Sequence, residues 1–276
     1  MPELPEVEVT RRSIDEPLRG ATVTGLRLGK PLRWPLGCDA TQLIGRQIGP
    51  VQRRAKYLWM PLFLAGNPDG GLLLHLGMSG SLSLLPQEAP PGTHDHVDLL
   101  TDRGLLRLTD PRRFGAVVWS PAIDRSPAAD RLAGLGLEPF DPALDERQFH
   151  AALKARRSPI KAVLLSGDVV VGAGNIYACE ALFQAGIHPA RPAHRIGAAR
   201  AARLLQALRD TLRRALDLGG TTLRDFRDAQ GHNGAFQEQT AVYGREGQPC
   251  PRCARPVRRL VQAQRSTFYC PHCQRH

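Results

Sequence analysis

The chain begins Met1-Pro2-Glu3-Leu4-Pro5-Glu6, and its second residue can do chemistry that few residues can. An initiator methionine is readily removed before a residue as small as proline. Removal would leave Pro2 with a free secondary amine, which can attack an electrophilic carbon and become an iminium without losing a second N–H. An α-amino group titrates near ~8, so a usable neutral fraction exists at neutral pH. Glu3 and Glu6 are close enough in sequence to carry protons for such a reaction. The same six residues also read as a proline-rich helix start whose acids complement the helix dipole, and in isolation that reading is the commoner one.

A second chemical signal lies at the other end. Cys250-x2-Cys253 and Cys270-x2-Cys273 have the spacing of a four-thiolate zinc site, each pair placing two sulfurs on one tetrahedral ion. One structural zinc ion per chain is expected, and disulfides are the weaker alternative in a cytosolic chain. Pro251 and Pro271 sit inside the two knuckles and help to set their turns. Cys38 and Cys179 are isolated and read as buried small residues. Residues 245–276 carry seven arginines against one acid, Glu246. The whole chain has a net charge of +11 and a pI near 10.0. That balance favours a polyanionic partner. Only four basic residues are lysines, namely Lys30, Lys56, Lys154 and Lys161. Genomic base composition accounts for most of that bias, but a lysine retained in such a chain draws attention.

Between the ends lie weaker constellations. Asp110-Pro111-Arg112-Arg113-Phe114-Gly115 combines a turn, two cations and an aromatic ring. Arg112 could offer its planar donor fork to a base edge and Phe114 could wedge into a base step. The commoner meaning of such a segment is a strand-connecting turn. Arg53-Arg54-Ala55-Lys56-Tyr57 is a basic run in which Arg54 and Lys56 would share a face if it lay on a strand. Gly172-x-Gly174-Asn175 could bring backbone to a phosphate at a helix start, with Asn175 adding a donor. His75, His94 and His96 fall in or near strands, where histidines are usually structural.

The elements that must position these residues follow from periodicity. A first helix is predicted over residues 5–19, with Val7, Ile14 and Leu18 on one face and Pro17 ending or kinking it. Strands are predicted over 22–28, 48–64, 71–84, 96–101, 105–109 and 116–120, with a hairpin turn at Asp102-Arg103-Gly104. Residues 121–142 are rich in Pro, Gly and Asp and read as a linker. Helices follow over 146–156, 158–165, 176–185 and 198–218. The last is the clearest, with Ala201, Leu204, Leu205, Leu208, Leu212, Ala215 and Leu216 at helical spacing and Gly219 as its stop. Residues 221–240 read as a mobile loop. No run approaches the ~20 apolar residues of a membrane span and no signal pattern opens the chain, so a cytoplasmic protein is expected.

In this order the motifs resemble those of bacterial formamidopyrimidine-DNA glycosylases. The resemblance rests on residues 2–8, Gln52 to Tyr57, His75-Leu76-Gly77-Met78-Ser79-Gly80, His94-Asp95-His96-Val97-Asp98, Thr109 to Gly115, Gly172 to Ala178, and Gln264 to Cys270. It spans essentially the whole chain. It implies an α+β multidomain protein. A catalytic N-terminal helix and β-sandwich would occupy residues 1–122, and a linker 123–142. A helix–two-turn–helix domain with a lesion-recognition loop at 221–240 would occupy 143–240, and a zinc finger 241–276. The partner implied is double-stranded DNA carrying oxidised purines, 8-oxoguanine or formamidopyrimidines, bound in the cleft between domains by a monomer. By position, Pro2 would be the nucleophile and Glu3 the proton donor to the opening sugar, with Glu6 beside them. Lys56 would donate a proton in β-elimination, and Arg265 would assist δ-elimination and hold phosphate. His75, His94, Arg112, Arg156 and Asn175 would contact DNA. Met78, Arg112 and Phe114 would fill the space of the extruded nucleotide, with Arg112 against the orphaned base. Arg156 stands where the family can carry lysine, and the loop at 221–240 matches only loosely.

Two other readings share some of these features. A relative of the endonuclease VIII type, which removes oxidised pyrimidines, would share Pro2, Glu3 and a zinc finger, but Leu4 and the Arg112/Phe114 pair favour the purine enzyme. A non-catalytic zinc-ribbon DNA-binding protein would explain the charge and the cysteines, but it leaves an amine beside Glu3 without a role.

Overall fold

Pro5, free of any need for a backbone donor in the first helical turn, and Glu6, complementing the dipole there, start helix α1 (Leu4–Leu18) behind an N-cap at Glu3. The computed structural model describes residues 2–86, 89–222 and 228–276. Helix α1 runs through Pro17 and stops one residue later. Proline has no N–H to offer the carbonyl of Ser13, and the Gln230 side-chain amide donates to that oxygen instead, at 3.3 Å. Val7, Ile14 and Leu18 all face one core, as their spacing predicts.

Strands β1 (Val23–Leu28), β2 (Gln47–Ile48), β3 (Gln52–Arg54), β4 (Tyr57–Leu64), β5 (Asn67–His75), β6 (Ser81–Leu85), β7 (Asp95–Thr101), β8 (Gly104–Thr109) and β9 (Ala116–Ser120) follow. They form a four-stranded sheet in the order β1-β7-β8-β6 and a second sheet in the order β2-β4-β5-β9, with β3 also paired to β4. Alternation decides which side chains meet. Leu58, Met60 and Leu62 of β4 and Leu72 and Leu74 of β5 join Val97, Leu99, Leu106 and Leu108 of the other sheet and the apolar face of α1 in a single core. Trp59 and Leu73 point the other way, where Ala128 of helix α2 (Ala128–Leu132) covers them. The segment predicted as a bare linker thus contains a packed helix.

Two predicted strands are broken. Residues 48–64 divide into β2, β3 and β4, with Ala55-Lys56 as the turn between the last two. Ala55 has φ +53°, so Lys56 sits at a turn and does not share a strand face with Arg54. Residues 71–84 divide at 76–80, a turn closed by the Gly80 N–H donating to the Leu76 carbonyl. Elsewhere the predicted strands agree within a residue or two, and Asp102-Arg103 turns β7 into β8.

The chain divides by contact into two units, residues 1–133 with 218–235, and 134–217 with 236–276. The second contains α3 (Glu146–Lys154), α4 (Ile160–Ser166), α5 (Asn175–Ala185), α6 (Ala198–Asp217) and the hairpin β10 (Arg258–Gln262)–β11 (Arg265–Tyr269). Asp145 caps α3 through the Gln148 N–H, Gly167 ends α4 in the left-handed region, and α6 buries Ala201, Leu204, Leu205, Leu208, Leu212 and Ala215. Leu216, predicted on the same face, is only half-buried. Cys179 is buried in α5 as expected, whereas Cys38 is half-buried at the edge of the first core.

The segment predicted as a mobile loop makes specific contacts in its described parts. Thr221 bridges Ala235, Ala229 donates to Ser13 Oγ, and Phe236 is buried against Tyr177. Residues 218–235 therefore group with the first unit and Phe236 with the second, because side chains of α1 hold the former while Tyr177 of α5 holds the latter. Residues 223–227 of the proposed lesion-recognition loop, and Met1, lie outside the described residues.

Candidate active site and metal centre

In the first unit, Pro2, Glu3 and Glu6 are all buried at the head of α1. The Glu3 N–H donates to Glu6 Oε2 at 2.7 Å, and the other oxygen of Glu6 accepts from the Thr221 N–H at 2.7 Å. One buried carboxylate thus joins the helix start to the segment at 221, which lies 215 residues away in sequence. Gly220, at φ +83°, leaves no room for a side chain there, since a Cβ would lie 2.9 Å from Glu6 Oε1.

Glu8, one turn on, accepts from Arg11, Arg12 and Arg53. Through Arg53 it ties α1 to the β3–β4 hairpin whose turn carries Lys56. Beside that turn Tyr57 packs on His75, with ring centroids 4.7 Å apart. Burial first, then the charges of Arg33 and Lys56, bring the His75 imidazole down to about 4. It is therefore neutral at pH 7, and its Nδ1 accepts from the Gly77 N–H at 3.0 Å.

Met78 and Phe114 are exposed, at 42% and 44%. They stand on adjacent turns, 76–80 and 110–115. The Arg112 guanidinium lies over the Phe114 ring, 4.9 Å from its centroid. His94 is exposed at the head of β7, and its carbonyl accepts from the Asp110 N–H. His96 is buried, as a structural histidine would be.

In the second unit, Asn175 opens α5 and its side chain bonds to three neighbours. Its Oδ1 accepts from Lys161 Nζ at 2.5 Å, and its amide donates to the Ser266 carbonyl at 2.9 Å and to Tyr243 Oη at 3.4 Å. Lys161 is wholly buried and also donates to Thr267 Oγ1 at 2.6 Å. This bracket sets the hairpin that carries Arg265, whose own side chain is exposed after a turn with Ala263 and Gln264 both at positive φ. Arg156 is not part of it: its guanidinium pairs with exposed Asp168 at 2.7 Å. The sequence marked Lys161 only by the rarity of lysine, did not mark Tyr243, and named Ser79 and Asp110 only as members of motifs, with no role for either side chain.

The sulfurs of Cys250, Cys253, Cys270 and Cys273 lie within 4.8 Å of one another, with Cys250–Cys273 at 3.9 Å and Cys253–Cys270 at 3.5 Å. Metal–sulfur bonds of about 2.3 Å around a tetrahedral zinc give edges of about 3.8 Å. The Arg252 and Cys273 N–H groups point at Cys250 Sγ and Cys270 Sγ, at 3.4 Å each, as they would toward thiolates. Burial, and then the neighbouring sulfurs, push the Cys273 thiol up to about 12 without a counter-charge. Four thiolates can coexist here only around a cation, and the donor set fits zinc.

The architecture and the cysteine cluster define a two-unit zinc-finger protein with a helix-led β-sandwich. Comparison with known proteins narrows this. Residues 1–117 match the formamidopyrimidine-DNA glycosylase N-terminal domain, 135–227 that enzyme's helix–two-turn–helix domain, and 247–275 the zinc finger found in it and in isoleucyl-tRNA synthetase. The formamidopyrimidine-DNA glycosylase of Albidiferax ferrireducens is 57% identical over 275 residues, covering all of both chains. The crystal structure of the MutM (Fpg) protein from Thermus thermophilus has 41% identity and a TM-score of 0.89, over 99% of this chain and 98% of that one. Wild-type Lactococcus lactis Fpg, solved with N7-benzyl-Fapy-dG-containing DNA, has 32% identity and a TM-score of 0.91, over all of both chains. The chain belongs to the formamidopyrimidine-DNA glycosylase family, as its motifs led one to expect. It is a DNA glycosylase of base excision repair.

Proposed function

We propose that this glycosylase binds duplex DNA as a monomer, removes oxidised purines such as 8-oxoguanine and formamidopyrimidines, and then cleaves the strand by β- and δ-elimination. The observation that carries the proposal is the buried head of α1, where Pro2 and Glu3 adjoin and Glu6 fastens the turn. After loss of Met1, the Pro2 nitrogen attacks the sugar C1′ and the bond from C1′ to the base breaks. Glu3 protonates the ring oxygen as the sugar opens, and the proton on nitrogen passes to the departed base, leaving an iminium. The iminium acidifies the adjacent C2′–H, so its proton departs and the 3′ phosphate is expelled, with Lys56 as proton donor. A second elimination, assisted by Arg265, expels the 5′ phosphate. A water nucleophile would stop at base removal. His75, His94, Arg156 and Asn175 hold the backbone, and one zinc per chain on the four cysteines keeps the hairpin of Arg265 folded.

The target carbon is hidden in the duplex, so the nucleotide must be turned out of the stack at a cost of a few kcal/mol. Met78 and Phe114 offset that cost by replacing lost stacking, and Arg112 meets the orphaned base. A guanidinium only donates, so it favours cytosine, which offers O2 and N3 together, over adenine, which presents N1 beside an amino donor. That difference amounts to about 1–3 kcal/mol. Alternatives that remove pyrimidines, or do no chemistry, fit the Arg112/Phe114 turn and the head of α1 less well.

Borohydride added during turnover on an 8-oxoguanine duplex is expected to leave the protein covalently joined to DNA. Glu3→Gln is expected to slow base excision at least about 10²-fold while sparing a pre-formed abasic site. Trapping that persists with an uncleaved residue before Pro2, or equal loss on both substrates, overturns the assignment.

A further inference from the structure

Met78, Arg112 and Phe114 stand on two turns far apart in sequence, and one buried carboxylate holds both. Asp110 is fully buried. Its Oδ1 accepts from the Ser79 hydroxyl at 2.6 Å and from the Arg112 N–H at 3.2 Å, and its Oδ2 accepts from the Gly115 N–H at 2.7 Å. Ser79 Oγ in turn accepts from the same Arg112 N–H, at 3.2 Å. The Arg113 N–H donates to the Asp110 carbonyl, which helps to hold Arg113 at φ +57°, a conformation costly for a residue with a side chain. The turns also touch directly. Gly77, at φ +65°, lies so close to the second turn that a Cβ would come within 2.4 Å of the Phe114 carbonyl carbon and the Gly115 nitrogen. These polar groups are spent inside the molecule and leave the three exposed side chains facing outward.

We propose that Asp110 and Ser79 are positioning residues that lock Met78, Arg112 and Phe114 into one rigid block, so that nucleotide extrusion and reading of the partner base depend on this clasp. The proposal rests on the wedge and partner-base roles given above. Rigidity matters because a side chain must enter the stack as the nucleotide leaves it. A turn free to rock forfeits the stacking it should replace and blurs the angle of the Arg112 donor fork. A carboxylate suits the task because it accepts from both sides, whereas an amide at Asp110 would turn a donor toward one of the existing donors.

The test is single-turnover excision of 8-oxoguanine from duplexes with each of the four partner bases, for Ser79→Ala, Ser79→Thr and Asp110→Asn. Incision of an abasic site in single-stranded DNA, where nothing need be extruded, is measured alongside. Loss of one hydrogen bond across the clasp is expected to slow duplex excision about fivefold to tenfold and to flatten the preference for cytosine. Single-strand incision should stay within about twofold, and Ser79→Thr, which keeps the hydroxyl, should restore both properties. Ser79→Ala serves should Asp110→Asn fail to fold. If Ser79→Ala keeps the wild-type rate and partner ranking, or loses single-strand incision in equal measure, the clasp does not position the wedge. Arg112→Ala and Phe114→Ala run in parallel separate the two ideas. If both leave duplex excision intact and Arg112→Ala keeps the ranking, the wedge reading fails, whereas if both slow duplex excision and Arg112→Ala flattens the ranking while the clasp variants do neither, only the clasp fails.

Discussion

His75 links protonation to the shape of the turn that carries Met78. Its Nδ1 accepts from the Gly77 N–H, and a proton on that nitrogen would set donor against donor. The ordinary histidine value is 6.5 and the folded value is about 4, so the folded state binds its proton less readily than the unfolded one. A group with a depressed folded value contributes stability that is complete above about 6.5 and is lost as the pH falls toward about 4. The loss is expected to reach roughly 2–3 kcal/mol across that window. His188, also at about 4, adds to the same acid limb through burial and then His276. Comparing wild type with His75→Gln in urea at pH 7 and pH 5 cancels the His188 share. A variant whose stability falls with acid as steeply as the wild type would show that His75 does not titrate in this range.

At the scale of elements, the second unit depends on one side chain drawing three together. Lys161 of α4 reaches the first residue of α5 and the second strand of the finger hairpin through Asn175 and Thr267. Glu180, on the next turns of α5, accepts from three consecutive N–H groups of Ala241, Val242 and Tyr243, fixing the approach to the finger. A buried ammonium is retained only when its donors are satisfied, and its loss strands the acceptors in turn. Lys161→Met is therefore expected to cost the second unit about 2–4 kcal/mol. The three tryptophans, Trp34, Trp59 and Trp119, all lie in the first unit. The unfolding transition followed by tryptophan fluorescence should stay in place while that followed by helical circular dichroism moves. Equal shifts in both would contradict a bracket confined to the second unit.

Across the whole molecule, each unit has its own apolar core, and the cysteine cluster belongs to the second, where Cys250 and Cys270 pack with Phe183, Val242 and Val257. A strong chelator is expected to release one zinc per chain and to lower the melting of the second unit alone, since metal-binding energy is folding energy for a small finger. Calorimetry should resolve two transitions, one sensitive to chelation and one not. The tryptophan signal should follow the insensitive one, and a single cooperative transition displaced as a whole would refute this. Cys270→Ala should mimic the chelator and weaken duplex binding far more than it disturbs the first unit.

The sequence by itself determined what local spacing can encode. The 3.6-residue recurrence of leucine and alanine marked α6, two-residue alternation marked most strands, and the cysteine pairs marked the metal centre. The ordered motifs marked the head of α1, the Arg112/Phe114 turn and the family. Tertiary structure alone decided the rest. It broke residues 48–64 and 71–84 into separate strands, the latter in different sheets, placed a helix under Trp59 in the apparent linker, and returned residues 218–235 to the first unit. It also gave Glu6, Asp110 and Lys161 their partners. Periodicity reports which face of an element is apolar, because that depends on neighbours a few residues away. A buried charge takes whatever donors or acceptors the fold brings to it, and one partner of each, Thr221 for Glu6 and Thr267 for Lys161, comes from more than a hundred residues further along the chain.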